Sequence, residues 1–218
     1  MAKADVLIVW GGLELHQPEQ CSHIVAGLLR EDGLSVEVTA DYGAFAAADL
    51  AERKLIIPNI TGTELERPVR DNLVAAIRAG TGLGGHHGAL ATSFQADHTF
   101  HYMTGVQWVQ HPGDVRHYTV ENIRPDDPVM AGIPASFPYH SEQYYVLYDP
   151  TVEILATTTF DGDPDPVARG VVMPVVFKRQ FGAGRVFYSS LGHQAHEFAD
   201  ENMRTILRRG LLWAARHD

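Results

Sequence analysis

The segment Val6 to Trp10, VLIVW, is an unbroken apolar run that stops at Gly11-Gly12. A strand with one wet face alternates apolar and polar residues. A run that is apolar at every position fits a strand covered on both faces, as in parallel sheets. Helical spacing follows it. Pro18 stands where a helix can start, Cys21, Ile24, Val25, Leu28 and Leu29 form one stripe, and Gly33 ends it. Leu34 to Thr39 alternates as a second strand, and Leu55 to Ile57 is a short third that Pro58 ends. Leu65, Val69, Leu73, Ala76 and Ile77 make another amphipathic helix, closed by Gly80, before the glycine-rich run Thr81 to Gly88. The order β-α-β-β-α-β predicts a layered α/β fold with helices on both faces of the sheet.

From about Gln95 to Val172 the pattern is less regular. Short β-like runs at Gly105–Val109, Arg116–Val120 and Val152–Thr158 read as insertions and antiparallel strands at one edge, not as a second domain. Val175–Lys178 and Arg185–Ser190, joined through Gly182-Ala183-Gly184, read as a hairpin. Met203, Ile206, Leu207, Gly210, Leu211 and Ala214 form the stripe of a closing helix. The 218 residues suffice for one large core, so residues 1–218 are expected to form a single domain. A net charge of −10 without basic clusters argues against nucleic acid or an anionic membrane surface as partner. No apolar run has the roughly 18 residues needed to span a bilayer. The start lacks the pattern of a signal peptide, so a cytoplasmic location is expected. A single cysteine, Cys21, excludes an internal disulfide framework.

Ligands of open α/β sheets bind beyond the carboxyl ends of the strands. Polar residues just after strand-like runs are therefore the candidates. They are Gly12 and His16 after the first strand, His86 and His87 in the turn Gly85–Gly88, His111 before Pro112, and His193 after Arg185–Ser190. His196 shares the face of His193 only if a helical turn forms there. His98, His101 and His117 read as surface or loop residues. Glu142, among the aromatics of His140–Tyr145, needs a partner or a raised pKa. Three or four histidines with one glutamate suit a first-row metal, and suit general acid–base work without metal equally well. There is no HExxH, CxxC, P-loop or GxSxG, and Gly82-Leu83-Gly84-Gly85 is not GxGxxG, so no nucleotide cofactor is expected.

These residues resemble a known family, the ThuA-like (trehalose-utilisation) proteins of the class I glutamine amidotransferase-like fold. The resemblance rests on Val9-Trp10-Gly11-Gly12 with His16-Gln17-Pro18, Gly85-His86-His87-Gly88-Ala89, His111-Pro112, Ser141-Glu142-Gln143-Tyr144, and the stretch from Met173 to His193. It implies a flavodoxin-like three-layer sandwich whose mostly parallel sheet carries antiparallel edge additions. On the amidotransferase plan His87 takes the position of the nucleophilic cysteine, His193 that of the late histidine, and Ala195 that of the glutamate. Thiol-dependent glutaminase chemistry is therefore not expected.

The resemblance further implies a carbohydrate-derived ligand, a disaccharide or keto-sugar, handled by hydrolysis, elimination or isomerisation. In that reading His87, Glu142 and His193 are catalytic, and Gly12, His16, His86, His111 and Tyr144 bind substrate. A divalent zinc, manganese or iron ion would sit on His16, His87 and His193. Trp10, Trp108, Tyr144 and Tyr145 are aromatic faces on which a sugar could stack. A homo-oligomer is compatible with this reading. The alternative is a non-catalytic sugar-binding or regulatory protein on a degenerate amidotransferase fold.

Overall fold

β1 (Val6–Gly12) is buried from Val6 to Val9, with Trp10 half-buried, as suits a strand flanked on both sides. It pairs in parallel with β2 (Val36–Thr39) and with β3 (Leu55–Thr61). The computed structural model describes residues 3–217. Between β1 and β2 runs α1 (Pro18–Glu31), with Pro18 in its first turn. After β3 comes α2 (Arg67–Ala79), then β4 (Gly82–His86), a four-residue turn of helix α3 (Gly88–Ala91), and α4 (His98–Thr104). The middle of the chain supplies β5 (Val106–Gln110), β6 (Val115–Asn122), β7 (Ser136–Glu142), β8 (Tyr145–Tyr148) and β9 (Glu153–Thr159). The hairpin β10 (Val172–Phe181) and β11 (Gly184–Ser189) precedes the closing helix α5 (Glu201–Ala215).

The main sheet has the order β2-β1-β3-β4-β11-β10-β9-β6-β7, and β5 and β8 form a separate antiparallel pair. The first five strands are parallel, in the order of a flavodoxin-like sheet. The last four extend it by antiparallel pairing. One apolar core holds Val25 and Leu29 of α1 and Ile206, Leu207 and Leu211 of α5 against one face. A second core holds Leu73 and Ile77 of α2 and Phe100 and Met103 of α4 against the other. The glycines of β4 let α5 lie directly on the strand. A Cβ on Gly84 would collide with the Leu211 side chain.

Two expectations, the end of β3 and the place of His101, need correction. β3 does not stop at Pro58 but runs to Thr61. Its pairing with β4 covers only Leu55 and Ile56, so Pro58 lies where no ladder on that side needs its missing N–H. The stretch Ser136–Glu142 is a strand, β7, despite Pro138, which sits on an edge strand where proline is tolerated. His101 is a buried helix residue whose Nδ1–H donates to Val106 O (2.8 Å), not a loop residue. The turn after β4 leads into only a nominal helix, because Ala89 (φ −60°, ψ 138°) and Leu90 (φ 66°, ψ −42°) are not helical.

Candidate functional site

His16, His87 and His193 follow the carboxyl ends of β1, β4 and β11, three strands of the parallel half. Glu142 ends β7 at the far edge of the sheet, which curls back over that end. One donor atom from each of the four side chains lies within 4.8 Å of every other. The imidazole centroids are 4.9 Å (His16–His87), 5.0 Å (His16–His193) and 4.8 Å (His87–His193) apart.

The backbone around His87 is held firmly. Its φ of 49° and ψ of −119° lie where a non-glycine residue stores strain of about 1–3 kcal/mol. Three hydrogen bonds keep it there. The His87 N–H donates to Ser189 O (2.7 Å), Nδ1–H donates to Ser190 O (3.2 Å), and the Tyr188 hydroxyl donates to His87 O (2.8 Å). The ring's other nitrogen, Nε2, faces the Tyr144 hydroxyl at 2.8 Å and Glu142 Oε2 at 3.1 Å. His16 is fixed by a 2.7 Å hydrogen bond between its Nδ1 and the Thr61 hydroxyl. His193 is buried and its Nε2 has no hydrogen-bond partner among the described residues, with Glu142 Oε1 3.7 Å away.

Burial pushes the His16 imidazole down to about 3, helped by the neighbouring His87 and His193. Burial and His87 also lower His193. Burial alone would raise Glu142, but the hydrogen bond and charge of His87, with His193 and His111, hold it at about 2. Near neutral pH, His16 and His193 are thus neutral and Glu142 is a carboxylate. Neutral imidazoles and an ionised carboxylate are the forms that bind a divalent cation.

His16, Glu142 and His193 line a cavity of about 620 Å³, within the range of small-ligand sites. Trp108, His111 and Tyr144 line one wall, Thr61 and Leu15 another, and His140, Gln194 and His196 the outer part. His111 stands at the margin, its Nε2 3.9 Å from Glu142 Oε1 and its ring 5.4 Å from Trp108. His196 lies on a 3₁₀ turn, Ala195–Ala199, and does reach the crevice. His86 does not line it. Strand alternation turns that ring away from His87 to pack against Phe198 (5.4 Å), where burial lowers its pKa to about 3. Gly12 serves the backbone, because its φ of 84° brings it so close to Thr61 O that no Cβ fits. Trp10 is not among the lining residues, and Tyr145 packs against Phe160.

Thr61 carries no signal in the sequence, because Pro58 reads as a stop after Ile57 and the strand runs four residues further. Glu197 carries none either, and it accepts hydrogen bonds from the His193 N–H (3.1 Å), the Tyr139 hydroxyl (2.7 Å) and the Ser141 hydroxyl (3.0 Å). Cys21 is buried in α1 and remote in character from a nucleophile. Burial, then the Glu197 charge, push its thiol up to about 12.

A family model for ThuA, described as trehalose utilisation, matches residues 5–214. The chain belongs to the ThuA family. No curated protein sequence matches it. Among solved structures, a ThuA-like protein from Parabacteroides merdae superposes with a TM-score of 0.77 at 19% identity, covering 98% of this chain and 90% of that one. A ThuA-like protein from Bacteroides uniformis gives 0.76 at 20% identity, covering 98% and 93%. A β-galactosidase from Bacillus circulans sp. alkalophilus gives 0.61 at 13% identity, covering 97% of this chain and 30% of that one. Identities this low establish a shared fold and no shared reaction. The ThuA chain thus has the flavodoxin-like, glutamine amidotransferase-like architecture that its motifs imply. Its family ties it to sugar utilisation, and no helix among the described residues is long and apolar enough to cross a membrane.

Proposed function

We propose that this ThuA-family chain is an enzyme of carbohydrate catabolism. It acts on a disaccharide or keto-sugar derivative by hydrolysis, elimination or isomerisation. A divalent ion of zinc, manganese or iron is held by His16, His87, Glu142 and His193. The observation that carries this reading is the convergence of those four donors, within 4.8 Å of one another, beside a crevice that His16, Glu142 and His193 line.

The donor set fits a cation. His87 Nδ1 meets a carbonyl, so it must carry a proton. Nε2 faces the Glu142 carboxylate at 3.1 Å, a contact that either a second ring proton or a cation beside the pair satisfies. His193 Nε2, buried without a partner, is a second lone pair or N–H awaiting one. Nitrogen-rich sites with one carboxylate suit zinc, iron and manganese better than calcium or magnesium.

Such an ion, when bound, polarises a carbonyl or lowers the pKa of water. The protein's own groups do the rest. Glu142, ionised near neutral pH, accepts a proton and does not donate one. The Tyr144 phenol is pushed up by burial and stays protonated, so it serves as a donor beside His87. Trp108 and His111 offer ring faces against which the CH surface of a sugar can stack.

The test is elemental analysis of tag-free protein, paired with time-resolved NMR of keto-disaccharides. The reading requires a first-row metal near one equivalent that is lost in His87→Ala, together with product formation. Stoichiometric sugar binding without any product would instead make the chain a non-catalytic binding protein.

A further inference from the structure

We propose that Glu197 is the positioning carboxylate of this site, acting on the main chain of His193 and not on its ring. The inference rests on the reading above, in which His193 and Glu142 share one centre. The amidotransferase plan puts an acid two residues after the late histidine, and here that place is Ala195. The acid appears two residues further on, in the middle of the 3₁₀ turn Ala195–Ala199.

Both oxygens of Glu197 are committed. Oε2 accepts from the His193 N–H (3.1 Å) and from the Tyr139 hydroxyl (2.7 Å), and Oε1 accepts from the Ser141 hydroxyl (3.0 Å). The Tyr139 oxygen in turn accepts from the Gly192 N–H (3.2 Å). Two successive peptide N–H groups that deliver His193 are therefore tied to one glutamate–tyrosine pair. All of these groups are buried. Hydrogen bonds to a charged acceptor in such surroundings are the strong kind.

The other end of this network is β7. Tyr139 and Ser141 alternate with His140 and Glu142 along that strand, so the two hydroxyls reach Glu197 while Glu142 enters the site. β7 lies at the edge of the sheet and β11 in its middle, four places apart. Yet His193 Nε2 and Glu142 Oε1 are 3.7 Å apart. Glu197 bridges these two segments, and so fixes the distance between one ligand and another.

Three variants of the full chain test this: Glu197→Ala, Glu197→Gln and Tyr139→Phe. Each is measured for thermal stability, for zinc affinity by calorimetry, and for the His193 imidazole ¹⁵N resonances without metal. Glu197→Ala should weaken zinc binding by roughly 10- to 100-fold, as loss of an orienting partner does, and should broaden or average the His193 signals. Glu197→Gln should recover wild-type affinity to within about threefold. Its carbonyl can keep the two donors on one side, and its amide can donate to Ser141. Tyr139→Phe should fall between the two. A merely structural glutamate would lower the melting temperature but leave the folded protein's affinity and His193 resonances alone. That result in Glu197→Ala overturns the proposal. If Glu197→Ala does not fold, wild-type affinity and sharp resonances in Tyr139→Phe overturn it. If wild-type protein takes no zinc, the metal reading fails, and the metal-free His193 resonances still decide the role of Glu197.

Discussion

Replacing Gly88 by alanine places one methyl group at a crowded point of the site. The backbone of Gly88 is compatible with alanine, so any effect is a matter of space. The new Cβ would lie 2.5 Å from Thr61 Oγ1, 3.0 Å from Thr92 Oγ1 and 3.1 Å from His16 Nδ1, where ordinary contacts begin at 3.4 Å. The Thr61 hydroxyl must therefore move by close to 1 Å or rotate away. Either escape breaks its bond to His16 (2.7 Å). Overpacking of this kind destabilises by about 1–3 kcal/mol, and the lost hydrogen bond adds about 1 kcal/mol. His16, freed from its partner, should lose orientation, and zinc affinity should drop about 10-fold or more. Urea melts and zinc titrations measure the two effects separately. Gly27→Ala is the control, since Gly27 lies within α1 with nothing inside 4 Å of the added methyl. It should gain about 0.5–1 kcal/mol and leave zinc binding unchanged. A Gly88→Ala protein with wild-type stability and wild-type zinc affinity would refute the claim that Thr61 and Gly88 together set His16.

Three further outcomes are expected. Gly210→Ala drives a methyl group into the Phe187 ring under α5 and should destabilise by about 1–3 kcal/mol in a urea melt, despite alanine's better helix propensity. Asp5 is held near 2 by the Ser35 N–H, Lys54 and the Ser35 hydroxyl, below its ordinary 3.8. A depressed carboxylate stabilises the fold above pH 3.8 and loses that contribution as the pH falls through 2. Asp5→Asn should thus cost about 1 kcal/mol at pH 7 after allowance for solvent screening, and the difference should vanish near pH 2. Cys21 should react with a thiol reagent at pH 8 far more slowly in native than in unfolded protein, and rapid native labelling would contradict its burial.

The parallel half of the sheet was legible because β1 is an unbroken apolar run, short strand-like segments and glycine turns follow it in order, and its helices carry clean stripes. His16, His87 and His193 could be placed for the same reason, since each follows such a strand. Glu142 could be named but not positioned. Its strand, SFPYHSE, carries a proline and outward polar residues, and these mask the inward alternation of Phe137, Tyr139 and Ser141. Thr61 was lost to the opposite error, a proline taken as a stop where the neighbouring ladder had already ended. Glu197 escaped because its partners at 139, 141 and 193 are distant in sequence. No local pattern announces a hydrogen bond between segments that meet only after folding. His86 shows the converse limit. Adjacent strand residues face opposite ways, and periodicity alone did not say which histidine of the pair turns inward.

The four proposed ligand residues come from four separated stretches of chain, three in the parallel half of the sheet and one on the last strand of the antiparallel half. Within the sheet the two halves are hydrogen-bonded along one seam, between β11 and β10. An ion bound by all four stretches is therefore a cross-link over that seam. It resists any partial opening that separates the halves, and at 100 times its dissociation constant it adds about 2.7 kcal/mol to the folded state. Removing it should loosen the antiparallel half first, so hydrogen exchange in β6 and β7 becomes a gauge of occupancy even where no substrate is known.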